Sequence, residues 1–75
     1  MTTTIFDALD QALNATAYEW LESQNPDLLR AIEKALADGL TPSLVRGRVM
    51  RKTYNDQLAR RCESAAWHIM AQEGA

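Results

Sequence analysis

Two dipeptides, Asn25-Pro26 and Thr41-Pro42, set the strongest limits on how this chain can fold. Each places a side chain able to cap a helix directly before a proline. Proline lacks the N–H that a helix interior needs but fits the first helical turn, where that group has no partner anyway. Each pair therefore predicts a helix start and an end to whatever precedes it. Gly39 suits the left-handed residue past a helix end, and Leu40 can fold back onto the last turns. The second helix is thus expected from Pro26 to about Asp38, burying Leu28, Leu29, Ile32, Ala35 and Leu36.

Upstream, the pattern predicts a first helix from about Ile5 to Ser23, capped by Thr4 with Asp7 three residues on. Ile5, Phe6, Leu9, Ala12, Leu13, Thr16, Ala17 and Trp20 share one face at a period of 3.6 residues. That face is the expected core side. Asp7, Gln11, Asn14, Tyr18 and Glu22 lie opposite and are expected in solvent.

The stretch after Pro42 contains no further proline. A single helix to Gln72 would put Asn55, Arg51 and Arg48 in line with Leu58, Cys62, Ala65, Ala66 and Ile69. Polar residues in that row are poor core material. A break near Thr53-Tyr54-Asn55, with Thr53 or Asn55 as cap, lets a third and a fourth helix each turn an apolar face inward. The expected fold is all-α, a small four-helix bundle-like domain spanning 1–75, with connections of two to four residues.

Seventy-five residues suffice for one domain of modest stability. The net charge of −2 points to no particular partner, but its distribution is uneven. Residues 1–40 carry two cations against seven anions, and residues 41–75 six cations against three anions. These halves are expected either to attract one another within the fold or to present one basic face, with Arg46, Arg48, Arg51, Lys52, Arg60 and Arg61, to an acidic partner. The start of the chain has no basic, apolar leader pattern, no stretch approaches the ~20 apolar residues of a membrane span, and the single cysteine allows no internal disulfide. A cytoplasmic location is the expectation.

Catalytic chemistry finds little support. A structural zinc site needs four nitrogen or sulfur ligands, and the chain has one Cys and one His. Cys62 and His68 stand six residues apart, about 240° around a helix, so they cannot form a nucleophile–base pair. Cys62 belongs to the apolar stripe as a small hydrophobe, and His68 reads as a surface residue. The glycines are too scattered to cradle a phosphate. Neither enzyme activity nor a cofactor is expected.

The third helix is apolar on two sides: Val45 and Val49 on one, Gly47, Met50 and Tyr54 on another. Such a helix is wedged between neighbours or shared with a second chain, and glycine there suggests close approach. Trp67, about 130° from the centre of the fourth helix's stripe, is either covered by the first helix or anchors an interface. Gly47, Met50, Tyr54 and Trp67 are the candidate interaction surface, and a homodimer is expected. The leading function is a non-enzymatic protein-interaction module of regulator, inhibitor or adaptor type. The alternative is nucleic-acid binding by Arg46, Arg48, Arg51, Lys52, Arg60 and Arg61, which cluster across the third helix and the start of the fourth.

Overall fold

The computed structural model describes residues 5–73. The expected cap at Thr4 and the side chains of Ile5 and Phe6 lie outside the described residues. Four helices follow one another: α1 (Ile5–Gln24), α2 (Pro26–Ala37), α3 (Pro42–Thr53) and α4 (Asp56–Glu73).

The last three helices start in the same way. Asn25 Oδ1 accepts from the Leu28 N–H at 3.2 Å, Thr41 Oγ1 from Leu44 at 3.3 Å, and Asn55 Oδ1 from Leu58 at 3.0 Å. Each bond satisfies an N–H that the helix itself leaves without an acceptor. Asn25 is also the whole connection between α1 and α2, shorter than the sequence suggested. Its N–H extends the α1 ladder to Leu21 O at 2.8 Å while its side chain opens α2. One residue serves as the end of one helix and the cap of the next.

At the end of α2, Gly39 has φ +101° and donates to Leu36 O, while Leu40 donates to Ala35 O, both at 3.0 Å. This crossed pair of bonds is the expected glycine-terminated helix end. α3 stops at Tyr54, whose φ of 52° places an aromatic residue in the left-handed region. Of the two proposed caps for α4, Asn55 takes the role. Thr53 Oγ1 instead donates to Val49 O and accepts from the Asn55 N–H.

α4 is the central element. Its residues Ala59, Cys62, Ala65, Ala66 and Ile69 are buried. They meet Leu21 of α1, Leu29 and Ile32 of α2 and Val45 of α3 in one core. α1 and α3 both lie along α4 in the opposite sense, and α2 bridges across with least contact to α3.

The expected core face of α1 is corrected here. Ala17 is buried as foreseen, but Leu9, Ala12, Leu13, Thr16 and Trp20 are exposed. Leu21 is fully buried, and Asn14 and Tyr18, expected in solvent, are half-buried. The helix is turned by about one residue, roughly 100°, from the face its pattern favours. The cause lies on α4, whose alanines and cysteine offer a shallow surface. Ala17 and Leu21 fit closely against it, and the wide indole of Trp20 stays at the edge.

Every residue from Asp7 to Leu13 is exposed, so this part of α1 extends past the core. The molecule is accordingly long, 38 × 24 × 21 Å, with a radius of gyration of 12.1 Å. A compact chain of this length would have about 11 Å.

Because the Asn55 cap separates α3 from α4, Asn55→Ala should lower folding stability by about 1 kcal/mol. Urea unfolding followed by far-UV dichroism measures this. An unchanged midpoint would mean the cap bond contributes nothing to the break.

Candidate interaction surface

The side chains that carry chemistry are mostly committed to packing. Cys62 is fully buried, and burial pushes its thiol from the ordinary value near 9 up to about 11. The nucleophilic thiolate is therefore scarce at neutral pH. His68, expected on the surface, is half-buried, with its ring centroid 4.9 Å from that of Tyr18. Partial burial raises the Tyr18 pKa above its usual value, and Glu33 and Glu22 add to the shift. Among the described residues, no group of three or more His, Cys, Asp or Glu side chains is placed to hold a metal ion.

The four residues of the expected interaction surface do not form one patch. Gly47, Met50 and Tyr54 are all exposed on α3, Tyr54 to 84%. Tyr54 sits beside the start of α4, whereas Trp67 lies about 17 Å further along that helix at 1.5 Å per residue. Trp67, 49% exposed, instead lines a shallow hollow with Gln11, Asn14, Ala15 and Ala71, so α1 covers it in part. The close helix approach expected at Gly47 is absent within the chain: a Cβ there would meet no heavy atom within 4 Å.

The six basic residues also divide. Arg46 bridges two carboxylates of α4, with Nη2 3.7 Å from Asp56 Oδ1 and Nη1 3.6 Å from Glu63 Oε1. Arg60 Nε lies 2.9 Å from Asp56 Oδ2. Ser43 donates to Glu63 Oε2 at 3.4 Å, tying the start of α3 to the same acid. Arg61 stacks its guanidinium 4.2 Å from the ring centroid of Trp20. The ion pairs seen among the described residues lie within a half rather than between halves, including Asp27 with Arg30 in α2. The expected attraction of the acidic half for the basic half is not how these cations are paired.

Arg48, Arg51 and Lys52 remain without an ion pair to a described residue. At spacings of three and four they share one face of α3 and line an open hollow of about 490 Å³. Leu44, four residues before Arg48, is 56% exposed beside them.

Two further surfaces escaped the sequence reading. One is the α1 stripe of Leu9, Leu13, Thr16 and Trp20, read as core and found in solvent. Its available signal was Leu21, a large apolar residue one position past the stripe that gives α1 a second apolar side. The other is a groove between α2 and α3 of about 210 Å³, lined by Leu28, Ala31, Ile32, Ala35, Leu40, Val45, Arg48 and Val49. Leu28 and Ala35, expected in the core, are half-buried along it, as is Val49.

Comparison with known protein families, curated proteins and solved structures finds no match to this chain. No helix of the described residues is long and apolar enough to cross a membrane.

Two outcomes follow from these side chains. Gly47→Ala should raise stability by about 1 kcal/mol, because it improves helix propensity and meets no neighbour; a lower melting temperature in dilute solution would contradict the open space at that site. The raised Cys62 pKa makes stability fall with alkali, because the unfolded chain loses the thiol proton first. That contribution is intact below pH 9 and is lost toward pH 11 at about 1.4 kcal/mol per pH unit. Urea titrations across this range should show the fall, and Cys62→Ala should flatten it. Tyr18→Phe, measured alongside, removes the phenol whose pKa is also raised from its usual value.

Proposed function

We propose that this chain is a non-enzymatic protein-interaction module of regulatory or adaptor type, and that its first partner is a second copy of itself along α1. The observation that carries the reading is the exposed stripe Leu9, Leu13, Thr16 and Trp20, spaced by four, three and four residues. That spacing is the seam pattern of a two-stranded coiled coil. Leu9 and Leu13 are 53% and 56% exposed, and Trp20 is 37% exposed.

Three considerations favour a like partner. Short helical segments in water are marginal, and the Asp7–Leu13 part of α1 has no buried residue to hold it. Among the described residues the buried apolar set is small, with four alanines among its ten members, so covering the stripe adds stability that the monomer lacks. Antiparallel pairing also sets Trp20 against Leu9 of the other copy. Arg61, stacked on Trp20, then faces the neighbouring Asp10, a favourable opposition of charge repeated by two-fold symmetry.

Gly47, Met50 and Tyr54 offer a second apolar contact on the far side of α3, less continuous than the α1 stripe. The nucleic-acid alternative rests on Arg48, Arg51 and Lys52 alone, since Arg46 and Arg60 are paired with acids and Arg61 with Trp20. Three cations on one helix of a net acidic chain make a small phosphate footprint.

Light scattering over a concentration series tests the proposal. The wild-type chain should approach twice 8.4 kDa, and Leu13→Glu should stay monomeric while keeping its helical dichroism, because Leu13 is exposed in the monomer. A monomer mass for the wild type at the highest attainable concentration would overturn self-association.

A further inference from the structure

We infer that the groove between α2 and α3, with the cationic face beside it, is a docking site for an acidic amphipathic helix of a partner protein. The site is separate from the α1 stripe and does not depend on dimer formation.

The groove has the form that such a ligand requires. Leu28, Ala31, Ile32 and Ala35 follow one another along α2 at spacings of three, one and three, which makes a single stripe. Val45 and Val49 form the facing wall on α3, and Leu40 contributes from the connecting turn. Ala31 and Ala35 leave the floor low, so the space of about 210 Å³ accepts a leucine-sized side chain from outside. Recognition of a helix by a groove uses anchors of this kind at intervals of three and four residues.

Charge decides between occupants. Arg48 lines the apolar groove and also the adjoining hollow with Arg51 and Lys52. No carboxylate of the described residues lines either space, and these three cations have no ion pair to a described residue. Arg51 and Lys52 stand in the last turn of α3, where the helix dipole favours cations. A partner helix with leucines toward the groove and carboxylates along one edge satisfies both features at once. A nucleic acid would use the cations but leave the apolar groove unfilled, and a second copy of the chain meets its own complement on α1.

The test uses the full chain in its Leu13→Glu form, so that self-association along α1 does not intervene. The probe is a synthetic amphipathic peptide with leucines on one face and glutamates on its flank. Fluorescence anisotropy should show binding that weakens with salt, and methyl NMR shifts should fall on Leu28, Ala31, Ala35, Val45 and Val49. Replacing the peptide's leucines by serine, or its glutamates by lysine, should each reduce affinity by about 10-fold or more. The double variant Arg48→Glu, Arg51→Glu should produce a similar loss and remove most of the salt dependence. Ala31→Gln, which raises the exposed groove floor, should reduce affinity while retaining the salt dependence. Both variants alter exposed positions, and unchanged melts verify that they fold. The inference is overturned if the peptide does not bind or if binding survives both variants. It is also overturned if duplex DNA binds as tightly as the peptide, or if the shifts map to α1 instead.

Discussion

The small-residue face of α4 governs the rest of the structure. Ala59, Cys62, Ala65 and Ala66 are each fully enclosed, and none projects far from its helix. Neighbouring helices can therefore settle close to α4, but only with side chains that fit a shallow surface. α1 meets this requirement with Ala17 and Leu21, and α3 with Val45. With α1 turned this way, Trp20 stays at the edge and Leu9 and Leu13 lie past the core, while Leu44 and Met50 on α3 and Trp67 and Met70 on α4 are exposed as well. A core thin in volume and a surface rich in apolar side chains are consequences of one packing choice. That choice also makes the thiol of Cys62 a packing group, since the enclosure that seats it keeps it protonated.

Electrostatics refines this arrangement without driving it. Asp56 receives both Arg46 and Arg60, and Glu63 receives Arg46 and Ser43, so the acids of α4 fasten α3 against it. The groups involved are partly exposed, so each contact contributes little energy, but together they fix which way α3 is rotated. With Arg46 drawn toward α4, Arg48, Arg51 and Lys52 are turned to the opposite side. The cationic face is thus set by the same rotation that buries Val45.

The helix boundaries were legible because their causes are local. Asn25, Thr41 and Asn55 each bond an N–H three residues on, and Gly39 adopts the positive φ its sequence position called for. The buried row of α4, including Cys62 and Ile69, was legible for a related reason: polar residues would have spoiled any other continuation. The rotation of α1 was not legible. Hydrophobic periodicity groups Leu9, Leu13 and Trp20 with Ala17 and leaves out Leu21, whereas packing against the shallow face of α4 keeps Ala17 and brings in Leu21. Exposure of Gly47, Met50 and Tyr54 could be read from the two-sided pattern of α3. Their separation from Trp67 could not, because it depends on the direction in which α4 runs. The pairing of Arg46 and Arg60 likewise required knowing that Asp56 and Glu63 lie across from α3.

The two proposed contact surfaces also lie where the monomer holds itself least. Between Asp7 and Leu13 α1 contributes no buried residue, and α2 and α3 touch each other less than any other packed pair. A partner along the α1 stripe would supply the second side that this part of α1 lacks. A helix seated between α2 and α3 would bridge the elements that meet mainly through α4. Binding at either place would therefore reduce local opening as well as bury apolar surface, and protection of backbone amides would rise beyond the contacted residues. The surfaces differ in chemistry: α1 offers a leucine and tryptophan seam, whereas the groove is bordered by cations. If both proposed surfaces are used, one small domain would join a copy of itself and an acidic partner without competition between them.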